Sequence, residues 1–178
     1  MLPKPDRTDD NRSDESGAGR GDSSAPGNGG GCPIGPATAA DLPAIARLLH
    51  EAGLPQGDIA GHVGRFLVAR NDAGGVVGTI GAEVTGPDAL LRSLAVAPNL
   101  RQAGLGGRLM AELERVAGGW GVQRWWLLTT TAERFFAKRG FRVATRCEAP
   151  EGIRRTAQFS GGCAAAAVCL TRERRSDE

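Results

Sequence analysis

Leu94-Ala95-Val96-Ala97-Pro98-Asn99-Leu100-Arg101-Gln102-Ala103-Gly104-Leu105-Gly106-Gly107-Arg108 is the stretch that decides how this chain folds. The apolar run ending at Val96 reads as the close of a β-strand, which Pro98-Asn99 then breaks. Leu105, Leu109, Leu113 and Val116 recur at helical spacing directly behind the glycines and predict a helix over 105–116, stopped by Gly118-Gly119. A helix start presents backbone N–H groups that have no intrahelical partner, at the positive end of the helix dipole. Such a start grips a diphosphate when no Cβ stands in the way, and Gly104 and Gly106 remove that obstruction. Arg101 adds a fixed positive charge, Arg108 offers a second, and Gln102, Ala103, Leu105 and Gly107 complete the loop. With 27 glycines in 178 residues, Gly-x-Gly arises by chance at roughly 2% of positions. The strand–loop–helix order therefore carries the reading, and the glycines alone do not.

On the N-terminal side, residues 75–84 and 89–97 are rich in β-formers and flank Thr85-Gly86-Pro87-Asp88, which predicts a hairpin. A four-residue turn pairs Val84 with Ala89 and Glu83 with Leu90, setting Glu83 and Arg92 diagonally on one sheet face. Two charges there read either as an ion pair or as a polar pocket in which Glu83 takes a proton and Arg92 holds an oxyanion. Leu42, Ile45, Ala46, Leu48 and Leu49 predict a helix over 41–53, and 66–69 a short strand. Downstream, 124–130 reads as a buried central strand whose Trp125 and Trp126 face opposite sides. A short helix over 132–139 closes at Gly140, strands follow at 141–144 and 165–170, and 150–160 holds room for a helical turn. His50 and His62 stand alone and read as core or surface residues, although His62 falls in the segment that often borders substrate in folds of this kind. The sum is a mixed α/β domain without internal repeats.

Composition bounds this domain. Residues 1–33 hold almost no large apolar side chain and are expected to form a disordered tail, 34–171 the folded domain, and 172–178 a flexible C-terminus. At 40% hydrophobic content, 178 residues suffice for one buried core. The 22 basic and 20 acidic side chains are spread along the chain, so no nucleic acid partner is expected. Neither an apolar run of membrane-spanning length nor a hydrophobic leader is found, which makes a cytoplasmic location without membrane contact the expectation. Cys32, Cys147, Cys163 and Cys169 lack zinc-site spacing and read as buried thiols, with a soft-metal or arsenical clamp between Cys163 and Cys169 as the alternative.

Arg101, Gly104 and Gly106 resemble the acetyl-CoA loop of the GNAT acetyltransferases, which runs Arg or Gln, two residues, Gly, any residue, then Gly or Ala. Phe136-Ala137-Lys138-Arg139-Gly140-Phe141 resembles that family's later aromatic-x-x-x-Gly-Phe segment, so the likeness covers about 34–170. It implies the GNAT-like acyl-CoA N-acyltransferase fold, an α/β three-layer structure with splayed central strands, and acetyl-CoA as co-substrate. Pantetheine would lie between the strand ending at Val96 and strand 124–130, bonded by the backbone of Leu94 and Val96. An N–H near Ala95 or Val96 would stabilise the thioester oxyanion. The implied acceptor is a small-molecule amine, with Glu83 as base, Arg92 on its anionic group, and a homodimer as candidate assembly. The tyrosine that often reprotonates the thiolate in this family is missing, because the chain has none and offers Phe136 there. Water, Ser93 or Thr130 would supply that proton, and Phe136 would pack on the sheet or on pantetheine.

More narrowly, Leu90-Leu91-Arg92-Ser93-Leu94, Leu127-Leu128-Thr129-Thr130-Thr131-Ala132 and Phe135-Phe136 resemble the arsenic-resistance-associated GNAT acetyltransferases. A related branch acetylates the α-amino group of amino-acid antimetabolites, including arsenic-containing ones. Three other readings stand beside this one: an acetyl-CoA binder without turnover, a thiol-based arsenical binder, and a protein N-acetyltransferase.

Overall fold

Along the chain run β1 (Ile34–Pro36), α1 (Leu42–Glu51), α2 (Ile59–His62), β2 (Phe66–Arg70), β3 (Val76–Thr85), β4 (Asp88–Val96) and α3 (Leu105–Ala117). Then follow β5 (Arg124–Thr129), α4 (Glu133–Ala137), β6 (Arg142–Ala144), α5 (Glu151–Arg154) and β7 (Val168–Glu173). The structure is a computed structural model and describes residues 31–162 and 165–174. The expected tail up to residue 30 and Cys163 of the proposed thiol clamp lie outside the described residues.

All seven strands join one sheet in the order β1-β2-β3-β4-β5-β7-β6. Strand alternation sorts the side chains onto two faces. Leu67, Ile80, Leu91, Trp125 and Leu127 meet the apolar stripe of α3, with Leu105, Leu109 and Leu113 buried. On the opposite face Phe66 and Val68 meet Ile45, Leu48 and Leu49 of α1, while Leu90 and Trp126 meet Ile153 and Phe159. Helices on both faces give the expected three layers, and the two tryptophans take opposite faces as the period of two demands.

Several boundaries differ from the sequence reading. The hairpin keeps its expected register, Val84 to Ala89 and Glu83 to Leu90, but Thr85 also pairs with Asp88. Its loop is thus the two residues Gly86-Pro87, and Gly86 at φ 61° supplies the left-handed conformation that a two-residue loop needs. The last strand starts three residues later than expected and carries the sheet to Glu173, past the expected domain end at 171, because Arg172 and Glu173 pair with Trp125 and Arg124. Neither the edge strand β1 nor the one-turn helix α2 is marked by periodicity, since each is too short to show one.

The turn ahead of α1 is held by charge and hydrogen bonds. Asp41 is 6% exposed, accepts from Thr38 N–H at 2.8 Å and Thr38 Oγ1 at 3.0 Å, and takes Arg70 Nη2 at 2.9 Å. Burial works to raise its pKa, but the Thr38 and Arg70 hydrogen bonds outweigh burial and hold the carboxyl below the usual aspartate value. The stability this contributes is complete above the unfolded-state value of about 3.9 and is lost as pH falls through the lowered native value. Asp41→Asn is expected to lose about 1–2 kcal/mol at neutral pH and to flatten the acid limb of a urea-denaturation series.

Candidate active site

β4 and β5 run parallel and are paired only at Asp88–Arg124, Ala89–Trp125 and Leu90–Trp126. Beyond Leu90 the two strands part, and β5 spends its other edge on β7 from Arg124 to Thr129. The parting opens a cleft of about 410 Å³ between Leu94, Ala95 and Val96 on one side and Leu127, Leu128 and Thr129 on the other.

A bulge in β4 shapes this opening. Gly81 pairs with Arg92 and Thr79 with Ala95, so β4 carries one more residue than β3 over the same step. Ser93 takes the strain at φ 59°. The extra residue reverses the strand's facing: Leu91 and Leu94 both turn toward α3, whereas an unbroken strand would oppose them. Ala97 N–H donates to Val77 of β3 at 2.9 Å. Backbone alternation then directs the N–H and C=O of Val96 and Leu94 away from β3, toward the cleft. Arg101, on the cleft wall, already donates from Nε to the Val96 carbonyl at 3.1 Å.

Three residues past Arg101, Gly104 stands at the N-cap of α3 with φ 81° and open space where a Cβ would be. Gln102 before it is also left-handed, at φ 70°. The N–H groups of Gly107 and Arg108 donate to the Gly104 carbonyl. The amides left to a ligand at this helix start are those ahead of them, at Gly104, Leu105 and Gly106. A Cβ on Gly106 would touch the Phe135 ring at 3.6 Å, an ordinary contact, so the packing tolerates it and only a ligand would object. Phe136 is 4% exposed, lines the cleft and packs edge-on against Phe135 and Phe141 at 5.0 and 5.4 Å.

At the other end of the cleft lies a charge network. Arg92 has a fully enclosed side chain that lines the cleft, while Glu83 beside it does not line it. The guanidinium pairs through Nη1 with Glu83 Oε1 and through Nη2 with Asp58 Oδ1 at 2.7 Å, and it donates to the Gly57 carbonyl at 3.2 Å. With its amide oxygen turned inward, Gln158 accepts from Arg92 Nε and Nη2, each at 3.2 Å. Burial opposes the Arg92 charge, but Asp58 and Glu83 outweigh burial and push its pKa above the ordinary arginine value. His62 Nε2 stands 3.8 Å from Asp58 Oδ2 and 3.8 Å from Glu83 Oε2.

The sequence reading brought Glu83 and Arg92 together, and they do meet. It missed Asp58 and Gln158, which arrive from segments 34 and 66 residues away from Arg92 with no local pattern of their own. Of the hydroxyls weighed for the thiolate, Ser93 lines the cleft and Thr130 does not; Thr129 and Thr131 line it as well.

Residues 62–143 match the family model described as acetyltransferase (GNAT) domain. The chain carries a GNAT acetyltransferase domain. Its sequence is 30% identical over 130 residues to the amino-acid acetyltransferase of Neisseria meningitidis serogroup A, an overlap of 68% of this chain and 30% of the relative. The chain thus spans about a third of the length of the curated relatives it matches. Among solved structures, the N-acetylglutamate synthase of Neisseria gonorrhoeae, complexed with coenzyme A and N-acetyl-glutamate, superposes with TM-score 0.71 at 28% identity, over 82% of this chain and 35% of that one. The ribosomal-protein-S18-alanine N-acetyltransferase of Escherichia coli shares the fold at TM-score 0.62 and 20% identity, over 83% of this chain and 96% of that one. No helix of the described GNAT domain is long and apolar enough to cross a membrane.

Proposed function

We propose that the chain is an acetyl-CoA-dependent N-acetyltransferase whose acceptor is the α-amino group of a small amino acid. The observation that carries this reading is the parting of β4 from β5 beyond Leu90, which opens one cleft lined by both Arg101 of the glycine loop and Arg92 of the charge network. On this reading the amides at Gly104, Leu105 and Gly106, with Arg101, hold the diphosphate. The cleft-facing backbone of Leu94 and Val96 binds pantetheine as an added strand, and Phe136 packs beside it. As the amine attacks, the thioester oxygen gains charge, and the fixed cleft-facing backbone N–H of Val96 stabilises it without reorganisation. Arg92, which lines the cleft, draws an acceptor carboxylate by its charge, and Glu83 accepts a proton through water.

The likeness to amino-acid acetyltransferases supports the acceptor class. Resistance to arsenic- or phosphorus-containing amino-acid analogues falls within the same chemistry, because those analogues carry the same α-amino group. Phe136 in place of a tyrosine favours a second reading, a binder of acetyl-CoA without turnover.

Thiol release measured over the common amino acids, their phosphorus and arsenic analogues and protein N-terminal peptides tests the proposal. Release with α-amino acids is expected. Release with peptides alone would overturn the acceptor class, and coenzyme binding without any release would favour the second reading. Glu83→Gln is expected to lower kcat/KM at neutral pH by about ten- to hundredfold and to flatten the alkaline-rising limb of the pH–rate profile.

A further inference from the structure

The network at the acceptor end holds one group that the scheme above does not use. His62 ends α2, its side chain 36% exposed, with two carboxylates near the same Nε2: Asp58 from the preceding loop and Glu83 from β3. Behind both carboxylates stands Arg92 of β4. The chain's other histidine, His50, lies on α1 with its Nδ1 3.3 Å from Gln56 Nε2. The ligand atoms of Asp58, His62 and Glu83 lie within 4.8 Å of one another, but the enclosed guanidinium pairs with both carboxylates and already supplies the positive charge a cation would bring. The trio is therefore read as proton-handling rather than metal-holding.

Glu83 shows the same division of labour. Its Oε1 is committed to Arg92, its side chain is 8% exposed, and its free Oε2 points at His62. A proton that reaches Glu83 has a single polar outlet toward solvent among the described contacts, the half-exposed imidazole. Imidazole can receive a proton on one nitrogen while releasing one from the other.

We propose that His62 is the relay residue that takes the acceptor's proton from Glu83 and passes it to bulk water. The inference rests on the acetyltransfer reading. The acceptor ammonium gives one proton through water to Glu83 Oε2 and on, through a second water across the 3.8 Å gap, to His62 Nε2, and this is the proton released to solvent. The freed amine forms the C–N bond, the C–S bond breaks, and the second nitrogen proton ends on the departing thiolate. Ammonium and thioester become amide, thiol and one proton, so the step balances. Asp58, beside the same Nε2, favours the imidazole that carries the proton.

The test compares the full-length wild type, His62→Gln and His62→Gly from about pH 6 to about pH 9.5, using the first amino acid that gives thiol release with the wild type. His62→Gln is expected to lose about ten- to hundredfold in kcat at pH 7, with the loss shrinking toward about twofold at the alkaline end, where the acceptor is already unprotonated. KM for acetyl-CoA stays unchanged, and added imidazole restores His62→Gly with the original pH profile. A purely structural role would give the same loss at every pH, and that result, or no loss, overturns the relay while leaving acetyl transfer standing. No release by the wild type with any amino acid overturns the acetyltransfer reading and the relay together.

Discussion

Gly104→Trp is expected to raise the Kd for acetyl-CoA about a hundredfold or more while the domain still folds. Two separate observations set that expectation. The φ of 81° costs any L-residue about 1 kcal/mol or somewhat more, a tolerable loss at an exposed N-cap. Space around a Cβ at this residue is open, so the side chain starts without a clash and its indole extends over the ground a diphosphate would occupy. Gly104→Ala separates the two effects, because it carries the backbone cost with little of the bulk and should weaken binding by less than about tenfold. Calorimetry with acetyl-CoA reads both variants, and circular dichroism checks the fold. Unchanged affinity in Gly104→Trp would remove this helix start from the coenzyme site.

Arg92→Met is expected to be the most damaging single change to stability, costing about 3–5 kcal/mol in urea denaturation. The guanidinium is wholly enclosed, and its loss strands the Glu83 carboxylate in a site where that side chain is 8% exposed. It also releases the Gly57 carbonyl, Asp58 and Gln158, so three distant segments lose their common partner. Removing both charges in Arg92→Met with Glu83→Gln should cost less than Arg92→Met alone, since no buried charge is then left unpaired. Equal losses in the single and the double variant would mean that packing, rather than charge, carries the effect.

The sequence was most legible where a pattern is local. The strand–loop–helix order around Gly104 is written in consecutive residues, and the turn at Gly86-Pro87 fixes the hairpin register down to Val84 and Ala89. A period of two assigns Trp125 and Trp126 to opposite faces without further information. The bulge at Ser93 left no such mark, because Leu91 through Val96 reads as an unbroken apolar run apart from Arg92 and Ser93. Insertion of β7 between β5 and β6 is likewise a long-range pairing that no short window contains. The charge network was half visible, in that hairpin register brings Glu83 to Arg92. Asp58 and Gln158 come from loops whose paths depend on the finished fold.

The opposite placement of the two central tryptophans has an optical consequence. The chain has no tyrosine, so its near-ultraviolet emission comes almost wholly from Trp120, Trp125 and Trp126. Trp125 is sealed beneath α3, and Trp126 is sealed on the far side with its Nε1 donating to Asp88 Oδ1 at 2.8 Å. Paired Trp→Phe replacements that leave one indole at a time would turn each helical layer into its own fluorophore, so loosening of one layer ahead of the other during denaturation could be watched directly.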